Sequence, residues 1–219
     1  ISFDHFDGPQ FFRLPLWVLE NWVNVKKLHW SEVWNFNRTM RAKDKTGFAT
    51  FVVKNGRCEE RNRIFHLLNE YKTVDSGGPL FNNIGGPLAQ ALFSSHITKT
   101  SFLKPRKFHI AYENSSYPGY VTEKILHGFL GETIPIYWGS PTIDLDFNPK
   151  AFINRHNFHS DLDMINYINT IDNNDDLYDY IISEPIFTSQ QISRHRNNYY
   201  DKFRYWFRTH VYMGDMGEG

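Results

Sequence analysis

The most constraining feature of this chain is an alternation that begins at Gly47. "FATFVV" (Phe48–Val53) is β-rich and almost wholly apolar, as expected of a strand buried on both faces of a parallel sheet. A turn, "KNGRCEE", leads into a stretch with Ile64, Leu67, Leu68 and Tyr71 at i, i+3, i+4 and i+7, the stripe of an amphipathic helix. Glu59 and Glu60 suit the first turn of that helix. "DSGG" (Asp75–Gly78) reads as a break. "KFHIAYEN" (Lys107–Asn114) is a second strand, and Val121, Ile125 and Phe129 share a helical stripe that Gly131 would stop. "TIPIYW" is a third strand and "AFIN" (Ala151–Asn154) a fourth. Ser160 caps a last clear helix carrying Leu162, Ile165 and Ile168.

Strand and helix alternating at this spacing specify an α/β fold with a parallel, Rossmann-like sheet and flanking helices. In such sheets ligands bind beyond the carboxyl ends of the strands. The loops after Val53, Tyr112 and Trp138 are therefore the expected site.

Composition narrows the classes further. Lys plus Arg equals Asp plus Glu, 24 each in 219 residues, so there is no electrostatic case for nucleic acid. The single cysteine, Cys58, forms no internal disulfide, and a cytosolic setting is expected. No apolar run approaches the ~20 residues needed to span a bilayer. "RHRNNYYDKFRYWFRTHVY" near the C-terminus reads as an aromatic-rich helix. Its basic and aromatic mixture is also that of a peripheral membrane face, but the charge balance favours packing.

Lys124 is the residue that needs explaining. It stands in the first turn of a helix, after Glu123, where the positive end of the dipole disfavours a cation. The free N–H groups of such a helix start favour anions, phosphate among them. A phosphate would satisfy both the helix end and the lysine. Glu123 could accept from ribose hydroxyls, and Tyr120 could stack or donate. Spacing alone leaves the plainer reading open and somewhat ahead: Glu123 complements the dipole and Lys124 points into solvent. Arg61 lies three residues before apolar Ile64, near the buried side of its helix and at the same sheet edge. Its guanidinium is shaped for a pyrophosphate, or for a surface pair with Glu59 or Glu60. Arg57 and Arg63 are expected at the surface. "SGG" (Ser76–Gly78) is either a turn or a close approach of backbone to a ligand. "DLD" (Asp144–Asp146) matches a metal-binding D-x-D only as short strings do by chance. There is no H-E-x-x-H, G-x-S-x-G, P-loop or G-x-G-x-x-G. No metal or cofactor is indicated.

Over "YENSSYPGYVTEKILHGFLGETIPIYWGSPTIDLDFNPKAFIN" the chain closely resembles the signature of α-1,3-fucosyltransferases of glycosyltransferase family 10, most strongly their bacterial, Helicobacter-like members. "GFATFVVKNGRCEERNRIF" and "VDSGG…NNIG" resemble the family's donor domain, and "FRLPLW" its inter-domain segment. The resemblance covers most of residues 1–185.

It implies a GT-B fold, mostly the C-terminal donor domain, with GDP-fucose as donor and no required cofactor. It implies inverting transfer of L-fucose to a GlcNAc or Glc unit of a β-galactoside, an N-acetyllactosamine-like acceptor of Lewis-type glycans. Arg61 and Lys124 would hold the diphosphate, and Asn114, Tyr120 and Glu123 would contact fucose, phosphate or ribose. Residues 1–45 would end the acceptor domain and form the linker, 46–185 would bind GDP-fucose, and 186–219 would form a C-terminal helical segment. Localisation would be cytoplasmic or peripheral to an inner membrane.

Inversion needs a base for the acceptor hydroxyl. The family's carboxylate lies in its N-terminal domain, and Asp4, His5 and Asp7 do not match it. The base is therefore expected upstream of Ile1, so that donor binding would survive in this chain without turnover. A non-catalytic nucleotide-sugar-binding module is the alternative.

Overall fold

The computed structural model describes residues 13–19, 30–88, 96–197 and 205. Asp4, His5, Asp7 and residues 198–204 and 206–212 of the expected C-terminal aromatic helix lie outside the described residues.

Five parallel strands form one sheet: β1 (Gly47–Phe51), β2 (Val74–Ser76), β3 (Arg106–Tyr112), β4 (Ile134–Trp138) and β5 (Ile153–Asn154), in the order β2-β1-β3-β4-β5. Register is fixed by pairs such as Ala49 with Val74, Thr50 with His109 and Ile110 with Ile136. The helices around it are α1 (Trp30–Trp34), α2 (Glu59–Tyr71), α3 (His96–Leu103), α4 (Glu123–Leu130), α5 (Asp161–Asp172), α6 (Asp175–Ser183) and α7 (Ser189–His195). Among the described residues no helix is long and apolar enough to cross a membrane.

The period-2 alternation of the strands divides the core into two layers. Phe108, Ile110 and Tyr112 of β3, with Ile134 and Ile136 of β4, pack with Ile64 and Leu68 of α2 and Ile168 of α5. Ala111 and Tyr137 face the other way, onto Ile125, Leu126 and Phe129 of α4. Trp17, in a helical turn at residues 16–19, packs there too, against Phe147 and Phe187.

Three local expectations change. Asp75–Gly78 is not simply a break, because Val74–Ser76 pairs with β1 as an edge strand. Gly78 is needed for packing against the protein's own backbone: a Cβ there would lie 2.1 Å from the Val53 carbonyl oxygen. Val121 precedes the helix rather than belonging to it, since Thr122 is the N-cap of α4. Gly131 does end that helix, with Cβ space denied by Leu103 at 2.7 Å, but the left-handed residue that turns the chain is Glu132, at φ 52°. The Ser160 cap forms as expected and is doubled into a capping box with Asp163.

Candidate functional site

Strand order 2-1-3-4-5 reverses direction between β1 and β3. Ligands of doubly wound sheets bind at that switch point, beyond the carboxyl ends. The loop after β1 leads into α2, which carries Arg61. The loop after β3 leads into α4, which carries Lys124.

Arg61 is 1% exposed. Its Nη1 donates to Asn114 Oδ1 at 2.6 Å and, at 3.5 Å, to the Tyr112 carbonyl, and its Nη2 donates to the Asn55 carbonyl at 2.6 Å. Every one of these acceptors is neutral. No carboxylate lies within ion-pair distance among the described residues, and Nε has no hydrogen-bond partner. Burial pulls the guanidinium pKa down, against weaker support from Cys58, Glu113 and Tyr120. A buried cation without a counter-charge is costly, so an anion bound here would be strongly favoured. Arg57 and Arg63 are exposed, as expected, and Arg63 pairs with Asp161.

Lys124 is neither solvent-facing nor without a partner. Its Nζ donates to Glu113 Oε2 at 2.9 Å and to Thr122 Oγ1 at 2.7 Å, with Glu123 Oε1 at 3.7 Å. The partner that makes a lysine tolerable in this first turn is therefore Glu113, a residue not among the expected five. Burial works against the Lys124 ammonium, but Glu113 and Glu123 outweigh it and hold its pKa above the ordinary value. Burial raises Glu113, which Lys124 and Thr122 only partly offset. Glu123 is opposed by burial yet held below its usual range by Lys124, Lys99 and its own backbone N–H.

The loop between β3 and α4 is pinned from the β4 side. Ser116 Oγ donates to the Gly139 carbonyl at 2.7 Å, and the Gly119 N–H donates to Ser140 Oγ at 2.9 Å. Gly119 takes the left-handed φ of 82° that the turn requires. Tyr120 is half-buried, and its phenol acts electrostatically on both Arg61 and Lys124. Asn114 is exposed, next in sequence to Glu113. Arg61, Asn114, Tyr120, Glu123 and Lys124 thus gather at one sheet edge.

Glu113 was legible in one respect. Strand parity puts it on the same face as His109 and Ala111, toward α4, at the end of an apolar run where a carboxylate needs a partner. The "DLD" pair is divided by the fold: Asp144 is exposed, while Asp146 is fully buried and takes both terminal nitrogens of Arg13 at 2.8 and 2.7 Å. Among the described residues no group of three or more His, Cys, Asp or Glu could hold a metal ion.

A sequence model for "Glycosyltransferase family 10 (fucosyltransferase) C-term" matches residues 40–184, which contain the sheet and all five of these residues. The chain belongs to glycosyltransferase family 10. It is 41% identical over 129 residues to an α-(1,3)-fucosyltransferase of Helicobacter pylori, covering 58% of this chain and 25% of that protein. It is 40% identical over 118 residues to α-(1,3)-fucosyltransferase B of Drosophila melanogaster, covering 51% and 26%. A crystal structure of an α1,3-fucosyltransferase with GDP-fucose superposes at a TM-score of 0.69 and 30% identity, over 85% of this chain and 61% of that one. This family 10 chain therefore spans about a quarter of the length of these curated relatives and about three fifths of the solved structure.

Proposed function

We propose that this chain binds GDP-fucose and is the donor-binding part of an inverting α-1,3-fucosyltransferase. The observation that carries the reading is Arg61: a buried guanidinium with only neutral acceptors, at the switch point of a family 10 sheet. Arg61 and Lys124 take the diphosphate, because two of the three ammonium donors of Lys124 are used internally and one is left. Asn114, Tyr120 and Glu123 line the fucose, phosphate and ribose. As the glycosidic bond breaks, negative charge grows on the departing GDP, and fixed cations stabilise that state more than the ground state.

The division proposed is residues 1–45 for the end of an acceptor domain and linker, 46–185 for the donor domain and 186–219 for a C-terminal segment. The acceptor is a GlcNAc or Glc unit of a β-galactoside, as in Lewis-type glycans. The lone Cys58, buried in the fold, supports a reducing, cytoplasmic or inner-membrane-peripheral setting. No described residue is assigned as the base for the acceptor hydroxyl.

Calorimetry with GDP and GDP-fucose tests the donor site: no binding, or binding unaffected by Lys124→Ala, overturns it. Fucosyl transfer to N-acetyllactosamine, by this chain and by an N-terminally extended form, tests the reaction. Transfer by the extended form alone supports the donor-part reading. Transfer by neither, with GDP-fucose still bound, would favour a nucleotide-sugar-binding module.

A further inference from the structure

Glu113 is fully buried, and both of its oxygens are occupied. Oε1 accepts the Thr122 N–H at 2.7 Å; Oε2 accepts the Thr122 hydroxyl at 2.6 Å and the Lys124 ammonium at 2.9 Å. The packing around it leaves it no slack, since a Cβ on Gly139 would come within 2.5 Å of its Cγ. Taking a carboxylate out of water is expensive, and a buried ion pair is weak evidence for stability. What this pair supplies is geometry. The Thr122 hydroxyl, free to cap α4, is turned instead to Glu113, and Thr122 makes no side-chain cap. The Lys124 side chain, which would otherwise sample many rotamers, is drawn back along the first turn. Its remaining donor stays at the helix start.

We propose that Glu113 is a positioning residue for the diphosphate: it fixes the Lys124 ammonium, and through Thr122 the first turn of α4, in the arrangement that receives the phosphates. This rests on the reading that GDP-fucose binds against Lys124. Glu113 does not touch the donor; it acts through Lys124 and Thr122.

The same contact keeps Lys124 charged. The ionisable groups acting on it are Glu113 from the end of β3, Glu123 from α4 and Tyr120 from the loop, and Lys124 in turn bears on His109 of β3. Lys99 of α3 acts on the array through Glu123. His109 is buried, and burial holds its pKa well below the ordinary value, so it adds no positive charge near neutral pH. Without Glu113, burial would pull the ammonium pKa down with only Glu123 and Tyr120 opposing.

The test is GDP binding by calorimetry between about pH 7 and pH 9.5, with each variant expressed as a ratio to wild type so that the titration of GDP cancels. Glu113→Gln is expected to weaken binding about tenfold at neutral pH, and increasingly toward alkaline pH as Lys124 loses its proton. In Glu113→Gln/Lys124→Arg the alkaline loss should disappear, because a guanidinium stays charged. Glu113→Asp keeps the charge but retracts it by one methylene, and should weaken binding about tenfold with no alkaline trend. A folded Glu113→Gln with the wild-type affinity and pH profile overturns the proposal. So does an alkaline loss that persists with Lys124→Arg. If Glu113→Gln does not fold, Glu113→Asp decides, and wild-type affinity in that variant overturns it. Failure of the underlying donor reading looks different: wild type binds no GDP, or Lys124→Ala binds it unchanged.

Discussion

Arg38 and Arg61 are both buried against the same sheet, at opposite edges, each with neutral acceptors only and an unpartnered Nε, and they differ in what surrounds them. Arg38 lies at the amino edge, before β4 and β5. Its Nη1 donates to the Thr133 and Ala151 carbonyls, and its Nη2 to those of Ile181 and Glu184 at the end of α6, where the helix dipole is negative. Burial brings its pKa down to about 10, with Tyr178, Glu184 and Glu132 opposing. Around it Glu132 accepts the Thr39 and Met40 N–H groups and pairs with Lys104, and Lys45 donates to the Glu132 carbonyl. That edge is a closed network in which cations are consumed by backbone and carboxylate. Arg61, at the carboxyl edge, likewise has no counter-ion among the described residues, but it has three acceptors in place of four, and one of them is the side chain of exposed Asn114. A buried arginine caged by carbonyls holds a fold together. One with fewer acceptors, at the carboxyl ends of the strands, suits the diphosphate role proposed for Arg61.

Breaking the closed edge should have the largest effect. Arg38→Ala leaves several buried carbonyls unpaired and is expected to cost about 4 kcal/mol of stability, read from urea unfolding, with the GDP affinity of the folded protein unchanged. Next is Glu132, whose hydrogen bonds and Lys104 overcome the cost of burial and lower its pKa from 4.5 to about 2. A depressed carboxylate stabilises the fold above its unfolded pKa and loses that contribution as pH falls toward the folded one. Glu132→Gln should therefore destabilise by roughly 3 kcal/mol at neutral pH, and the gap to wild type should close as pH drops from 4.5 to about 2. At the open edge, Arg61→Ala should weaken GDP binding about a hundredfold while costing less stability than Arg38→Ala. GDP binding equal to wild type would erase the contrast between the edges. The smallest effect belongs to neither edge: Ser160→Ala removes one half of a capping box, for about 1 kcal/mol in thermal or urea unfolding and no change in GDP affinity.

What could be read in the sequence was whatever the chain states locally. The strands around Phe48, Lys107, Ile134 and Ile153 are apolar runs with clear ends, and all four form. Arg61 could be placed near the buried side because Ile64 fixes the phase of its helix. β2 was missed because it is three residues long with one apolar side chain, Val74, and runs straight into glycines. Lys124 was legible as an anomaly but not as a solution. Its partner sits eleven positions earlier on another element, and only the turn through Gly119, pinned by Ser140, brings Glu113 under it. The Arg13–Asp146 clasp joins positions 133 apart, and nothing local announces it. The cage around Arg38 is likewise hidden, because its partners are carbonyls that every sequence has.

The reversal of strand order at β1 and β3 also has a kinetic side. Those strands pair Gly47 with Arg106, whereas β1 and β2 pair Ala49 with Val74, and β3 and β4 pair Phe108 with Ile134. Loop-closure entropy grows by about 0.6 kcal/mol for each doubling of the span, and pairings distant in sequence are the slow ones in folding. The β1–β3 pairing is the longest closure in the sheet. Each βα unit can form within its own neighbourhood, so Arg61 and Lys124 grow up on separate halves. The proposed donor site is complete only when those halves are paired at the seam between them.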